Sequence, residues 1–416
     1  MDPFASLPEP VARAWERSLT SGRAAMSRRR LLAAGGALAG AAALPALGAC
    51  GIPAADTGGE DGEAAAARDY SGKEKELAFS NWPLYIDVDD ENENVRPTLE
   101  RFQERSGIRV AYTEDVNDNV EFFGRIKPQL AAGQDTGRDL VCLSDFMAGR
   151  LIRHGWAQRL DPRNLPHANV NLEPRFRNAA HDPGRQFTMP WAGLATVVAY
   201  NKKATGGREV SSVAQLMEDE ALKGKVSLLT EMQDTIGMTL IDMGKSPTKF
   251  TDDDFDAALA RVQKAVDDDQ LRRFTGNDYT EELVKGDIAA CLAWAGDIVQ
   301  LQLDTDDIEF VIPAKGYLYA TDDLLVPARA RHKTNAEKLI DYYYRPDVAA
   351  ELAAWVNYIC PVVGARAEMK KIDASLADYP LIFPDRQMID KGQVFMSMND
   401  DKETAYQDKW SKVIGA

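Results

Sequence analysis

From about residue 73 the chain alternates short β-type runs with amphipathic helical stretches, and few folds accept that pattern. Residues 77–80 read as a strand, followed by a helix with Val95, Leu99 and Phe102 on one face and a stop at Gly107. Strands are predicted at 108–112 and 140–143, with helices over about 120–132 and 146–154. Further strands are expected at 196–200, 226–229, 288–294 and 324–327. Thr251-Asp252-Asp253-Asp254 caps a helix carrying Phe255, Leu259 and Val262, and the last ninety residues or so read as mostly helical. Such alternation builds open α/β sheets, and this much of it predicts two of them. No repeat is present.

The first fifty residues carry different information. Ser27-Arg28-Arg29-Arg30-Leu31-Leu32 opens an Ala/Gly/Leu run ending in Leu47-Gly48-Ala49-Cys50. A basic cluster, an apolar stretch and small residues before a cut make an export signal. The arginines resemble a twin-arginine signal, and Leu-Gly-Ala-Cys resembles a lipobox with Cys50 as the lipidated residue. The run is also long enough for a membrane helix, but Pro45, the glycines and Cys50 argue for a cleaved signal over residues 1–50. Residues 51–72, rich in Gly, Ala, Asp and Glu, read as a flexible tether.

Charge narrows the partners. The whole chain carries a formal −16, from 49 basic and 65 acidic residues. Removing residues 1–50, with six Arg and three acids, leaves a net −19. That surface excludes nucleic acid and suits a cationic ligand or plain solubility. Cys142, Cys291 and Cys360 form no C-x-x-C, so buried free thiols are expected, with a Cys291–Cys360 pair left open. No metal site or cofactor is expected. Asp87-Val88-Asp89-Asp90-Glu91 has Asn92 and Thr98 where a calcium loop needs Gly and Glu, so it reads as a helix start.

Motifs of catalysis are absent. The four histidines form no H-E-x-x-H, and neither a G-x-S-x-G, a phosphate loop nor a G-x-G-x-x-G occurs. Aromatics and carboxylates instead cluster just after predicted strands: Trp82 and Tyr85, Ser144 to Phe146, Glu231 to Asp234, Trp294 to Asp297. Tyr317 to Asp322 forms a similar cluster before the 324–327 strand. Ligands of open α/β sheets bind at the carboxyl ends of strands, so most of these segments are expected to converge. Aromatic faces attract cations, and a desolvated ammonium needs carboxylates beside it. Together they describe a box for an organic amine. A lone Trp or Asp after a strand is more often packing or a helix cap, which is how Trp191, Asp234 and Asp297 could each be read alone.

At these residues the chain resembles the spermidine/putrescine-binding proteins of bacterial ABC importers. The resemblance runs with gaps from about 76 to 413. It is carried by Asn81-Trp82-x-x-Tyr85, Asp139-Leu140-Val141 with Ser144, Met189-Pro190-Trp191, residues 230–240, residues 286–297 and Tyr344-Arg345-Pro346-Asp347-Val348-Ala349. It implies a two-lobed periplasmic-binding-protein-like clamshell of type II, α/β in class, with hinge strands. The lobes would comprise 73–194 with about 300–328, and 195–299 with about 329–416. Hinges are expected near 194–196, 297–301 and 326.

Position by position, the resemblance places a ligand box on Trp82, Tyr85, Ser144, Phe146, Trp294, Asp322 and Tyr358, with an acidic pair at Glu231 and Asp234. Asp322 would hold an internal amine, the pair a terminal one, and the rings would wall the methylene chain. The chain departs from the pattern in four places. Phe146 replaces a Tyr, Ala320 replaces a Trp, Phe395 replaces a Gln with Gln393 nearby, and the Glu231 segment is one residue shorter. The implied role is a lipid-anchored, monomeric polyamine carrier that delivers to an ABC permease and its ATPase. It would work by lobe closure, without catalysis. The rivals are the same fold carrying a small amino compound or metal chelate, an exported enzyme, and a sensor or adhesion subunit.

Overall fold

The computed structural model describes residues 67–415, apart from 90 and 303. The export signal, Cys50 and most of the tether lie outside the described residues. Strand β1 (Glu76–Asn81) leads through a loop to helix α1 (Pro97–Ser106), which stops at Gly107 with φ 68°. Only glycine enters that left-handed turn freely, so the stop is written into the sequence. Asp87 serves α1 by accepting the Thr98 N–H at 2.8 Å, which makes the acidic run a helix start. Then come β2 (Arg109–Glu114), α2 (Asn119–Ala131), β3 (Leu140–Ser144) and α3 (Asp145–Arg153).

A fourteen-residue strand, β4 (Thr188–Asn201), is buried along its whole length. It is followed by β5 (Val226–Leu229), α4 (Met232–Asp242) and α5 (Asp252–Asp267), the last opened by the predicted Thr251–Asp254 capping box. Next are β6 (Leu271–Thr275), α6 (Tyr279–Lys285), β7 (Ala290–Trp294) and α7 (Ala295–Gln302). The chain continues through β8 (Ile308–Val311), β9 (Tyr317–Leu325), α8 (Lys333–Tyr343) and α9 (Pro346–Val356). Helices α10 (Ala365–Ile372), α11 (Arg386–Lys391) and α12 (Asp400–Ile414) complete it.

The expected two sheets are joined into one, ordered β2-β1-β3-β9-β4-β7-β5-β6, with β8 beside β4. The long strands β4 and β9 make the join. Residues 188–192 of β4 pair with the half of β9 that reaches β3, while 196–200 pair with β7. Two parallel half-sheets, β2-β1-β3 and β7-β5-β6, thus share an antiparallel middle. Residues 194–196 fall where β4 changes partners, and 326 falls just past β9. The third expected hinge stretch, 297–301, is helical and lies in α7.

The lobe boundaries differ from expectation. Strand β8 pairs with residues 198–201 of β4, so it joins the second lobe. Asn335 at the start of α8 donates to the carbonyls of Glu74 and Glu76, and His332 pairs with Asp139, all in the first lobe. Trp191 meets Tyr343 edge-on, and Arg101 pairs with Glu351, so α8 and α9 pack with the first lobe. Helix α12 returns to the second lobe, where Tyr406 stacks on Phe255 and Trp410 donates to the Thr230 carbonyl. The reason is physical: the apolar faces of α8 and α9 need a sheet to cover, and chain order does not choose which. Cys142, Cys291 and Cys360 are free, buried thiols. Among the described residues no helix is long and apolar enough to cross a membrane.

Candidate functional site

The site lies between the half-sheets, at the strand ends. A narrow recess of about 20 Å³ is lined by Trp82, Pro83, Tyr85, Ser144, Leu194, Asn277, Trp294, Asp297, Asp322 and Tyr358. It adjoins a chamber of about 540 Å³, which shares Ser144, Leu194 and Trp294 and adds Phe146 and Asp234. Eight of the nine predicted residues therefore line one continuous region.

Aromatic rings form its walls. Trp82 meets Trp294 edge-on at 5.9 Å between centroids, and Tyr85 meets Tyr358 at 4.9 Å. Tyr358 is held over the helix start of α7, where a Cβ on Gly296 would come within 2.2 Å of the ring. Gly296→Ala must therefore push Tyr358 into the recess. We expect this variant to fold and to lose ligand affinity by about tenfold or more, measured by calorimetry, because overpacked sites shift rather than compress.

Carboxylates supply the charge. Asp322 accepts from the Ser144 hydroxyl at 2.7 Å. The Tyr85 hydroxyl faces Asp322 without completing a hydrogen bond of normal geometry, and the Trp82 Nε1 also has no partner among the described residues. Burial pushes the Asp322 carboxyl up to about 7, against the lowering effect of Ser144. Asp234 accepts from Thr196 and from Trp294 Nε1, and burial raises it to about 6. Asp297 accepts from Tyr358 at 2.7 Å, Tyr279 at 2.8 Å and Asn277 at 2.7 Å, and burial raises it to about 6 as well. These acids are costly to ionise as they stand, and an ammonium would relieve that cost.

The bulge between Asp322 and Asp323 separates two functions. Asp323 is as buried as its neighbour, yet the Arg185 charge and then His181 hold it at about 2. It is a structural ion-pair member; Asp322 has no basic partner among the described residues and faces the recess.

Glu231 is the predicted residue that lines neither the recess nor the chamber. Its Oε1 accepts from the Asn119 backbone N–H and from Asn119 Nδ2, each at 2.8 Å. Asn119 Nδ2 also donates to the Ser144 hydroxyl at 3.0 Å. Burial and the neighbouring Asp118 raise the Glu231 carboxyl well above the usual range. The residue clasps the second lobe to the first and stands behind Ser144, so the expected Glu231–Asp234 pair does not face one ligand end.

Asn277 and Leu194 were not expected in the site. Asn277 follows β6, whose Leu-Arg-Arg-Phe-Thr sequence hides an edge strand, so the strand-end rule had nothing to act on. Leu194 sits mid-strand in β4, where position alone gives no signal.

Known proteins resemble this chain. Residues 98–384 match the family of bacterial extracellular solute-binding proteins. The spermidine/putrescine-binding periplasmic protein of Salmonella typhimurium is 26% identical over 337 residues, 81% of this chain and 91% of that protein. The putrescine-binding periplasmic protein of Escherichia coli is 30% identical over 329 residues, 75% and 84% of the two chains. Among solved structures, a spermidine/putrescine ABC transporter substrate-binding protein from Streptococcus pneumoniae superimposes with a TM-score of 0.64 at 19% identity. That match covers 82% of this chain and 98% of the other. With the matched segment spanning most of the described chain, the protein belongs to the bacterial extracellular solute-binding proteins.

Proposed function

We propose that the protein is a polyamine-binding component of an ABC importer. Trp82, Tyr85, Ser144, Phe146, Asp234, Trp294, Asp322 and Tyr358 are the ligand residues, joined by Asp297. The observation that carries this reading is a recess and adjoining chamber with aromatic walls whose buried acids, Asp322, Asp234 and Asp297, have no basic partner among the described residues. A polyamine answers both halves of that description, since it alternates cationic nitrogens with apolar spacers. Its relatives' names support the same ligand class.

Closure follows from the bridging geometry. Asp322 and Ser144 come from the first lobe's side, and Asp234 and Trp294 from the second, so a ligand touching both binds the closed form better. In this reading Cys50 carries the lipid after twin-arginine export, and the tether holds a monomeric carrier near its permease and ATPase. Bond-making plays no part in it.

Thermal unfolding of the mature chain with putrescine, spermidine, amino acids and metal ions tests the reading. A polyamine at a hundredfold excess over its dissociation constant should add about 2.7 kcal/mol. A shift with another solute and none with any polyamine would reject it.

A further inference from the structure

The chamber contains a carboxylate with no role in the box described above. Asp145 opens α3 between Ser144 and Phe146 and lines the chamber with them. Its carboxylate makes no ion pair and no side-chain hydrogen bond among the described residues, and its charge is felt by both Asp234 and Asp322. The basic groups on this side are committed elsewhere. His181 and Arg185 both bond Asp323, at 2.6 and 2.8 Å, so they reach Asp145 only through their charge, and Arg153 pairs with Asp400 and Glu403. Arg175 lies exposed on the rim, over the Phe176 ring.

A second group points the same way. Gln233, only 5% exposed, lines the chamber; its Nε2 is buried without a hydrogen-bond partner among the described residues, and its Oε1 makes no hydrogen bond there either. A carboxamide oxygen accepts from an ammonium without adding charge. The chamber also has room, because Ala320 is small, and its 540 Å³ falls in the range of roughly 300–1,000 Å³ that encloses sizeable ligands. A diamine bridging Asp322 and Asp234 would leave Asp145 without a hydrogen-bonded cation beside two other acids, which is unfavourable.

We propose that Asp145, with Gln233, forms a further cation subsite, so that the site selects polyamines with three or more amines. The proposal rests on the polyamine reading and supplies, from α3, the acid that Glu231 does not. Calorimetry at fixed ionic strength with putrescine, spermidine and spermine tests it on the wild type, Asp145→Asn and Gln233→Leu. Asp145→Asn should weaken spermidine and spermine by about tenfold or more while leaving putrescine within about threefold. Gln233→Leu should show the same selectivity with a smaller loss, and it carries the test if Asp145→Asn does not fold. Equal losses on all three ligands, or none, overturn the subsite. A wild type that binds none of the three rejects the polyamine reading itself.

Discussion

Asp322→Asn is expected to weaken polyamine binding by about two orders of magnitude and to leave the fold intact. Removing one member of a desolvated charge pair costs about 3 kcal/mol or more, because the other charge stays buried without its counterion. The substitution is close to isosteric. An Asn carbonyl can still accept from the Ser144 hydroxyl, which now donates to Asp322 at 2.7 Å. Strand β9 keeps its pairing on both sides, since backbone groups make it. Burial already raises Asp322 to about 7, so replacing it with a neutral group removes a cost from the ligand-free protein. The expected pattern is therefore lost affinity with an unchanged or higher unfolding temperature. Calorimetry paired with thermal unfolding reads both. Retained affinity would remove Asp322 from the site, and a collapsed transition would make it structural. Asp323→Asn supplies the contrast, because it breaks the ion pairs with Arg185 and His181 and should lower stability more than affinity.

Much of this site was legible because it follows strand ends. Trp82, Ser144 and Trp294 lie at or just after apolar runs whose burial is unambiguous from sequence, and the open-sheet rule then brings them together. The helix at Thr251 was equally readable, since its capping box is local chemistry. What sequence could not supply is long-range. Residues 317–322, with two Tyr and one Asp around Thr321, look like a turn before the 324–327 strand, yet they form the first part of β9. Pairing with β4 and β3 overrides their weak local preference. The direction of Glu231 depends on Asn119, more than a hundred residues away. The assignment of α8 and α9 to the first lobe depends on which sheet face remained uncovered. Asp145 falls in the Ser144–Phe146 cluster but was not assigned to the ligand for a different reason: an acid at the first position of a helix has a sufficient local explanation in the helix dipole.

The second large effect is on pH. An aliphatic ammonium, with a pKa near that of lysine at about 10.4, stays charged from pH 5 to 8, so only the protein titrates. In the ligand-free protein burial raises Asp322 to about 7 and Asp234 and Asp297 to about 6. A bound ammonium favours the ionised forms, so binding below these values must release protons. Affinity should therefore be greatest near pH 8 and fall as pH drops through 7. It should fall more steeply below 6, by about tenfold per pH unit for each carboxyl coupled to the ligand. The ligand-free fold responds in the opposite sense. Its raised carboxyls, compared with about 3.9 for aspartate in an unfolded chain, contribute stability that is complete below pH 4 and lost as pH rises through 6 and 7. Asp323, held at about 2, contributes nothing to either trend in this range. Titrations at pH 6 in buffers of different ionisation enthalpy should reveal proton release that vanishes at pH 8. Affinity that is flat from pH 5.5 to 8 would show that no ammonium meets these acids. Asp322→Asn should remove the upper part of the dependence, near pH 7, and leave the lower part to Asp234 and Asp297.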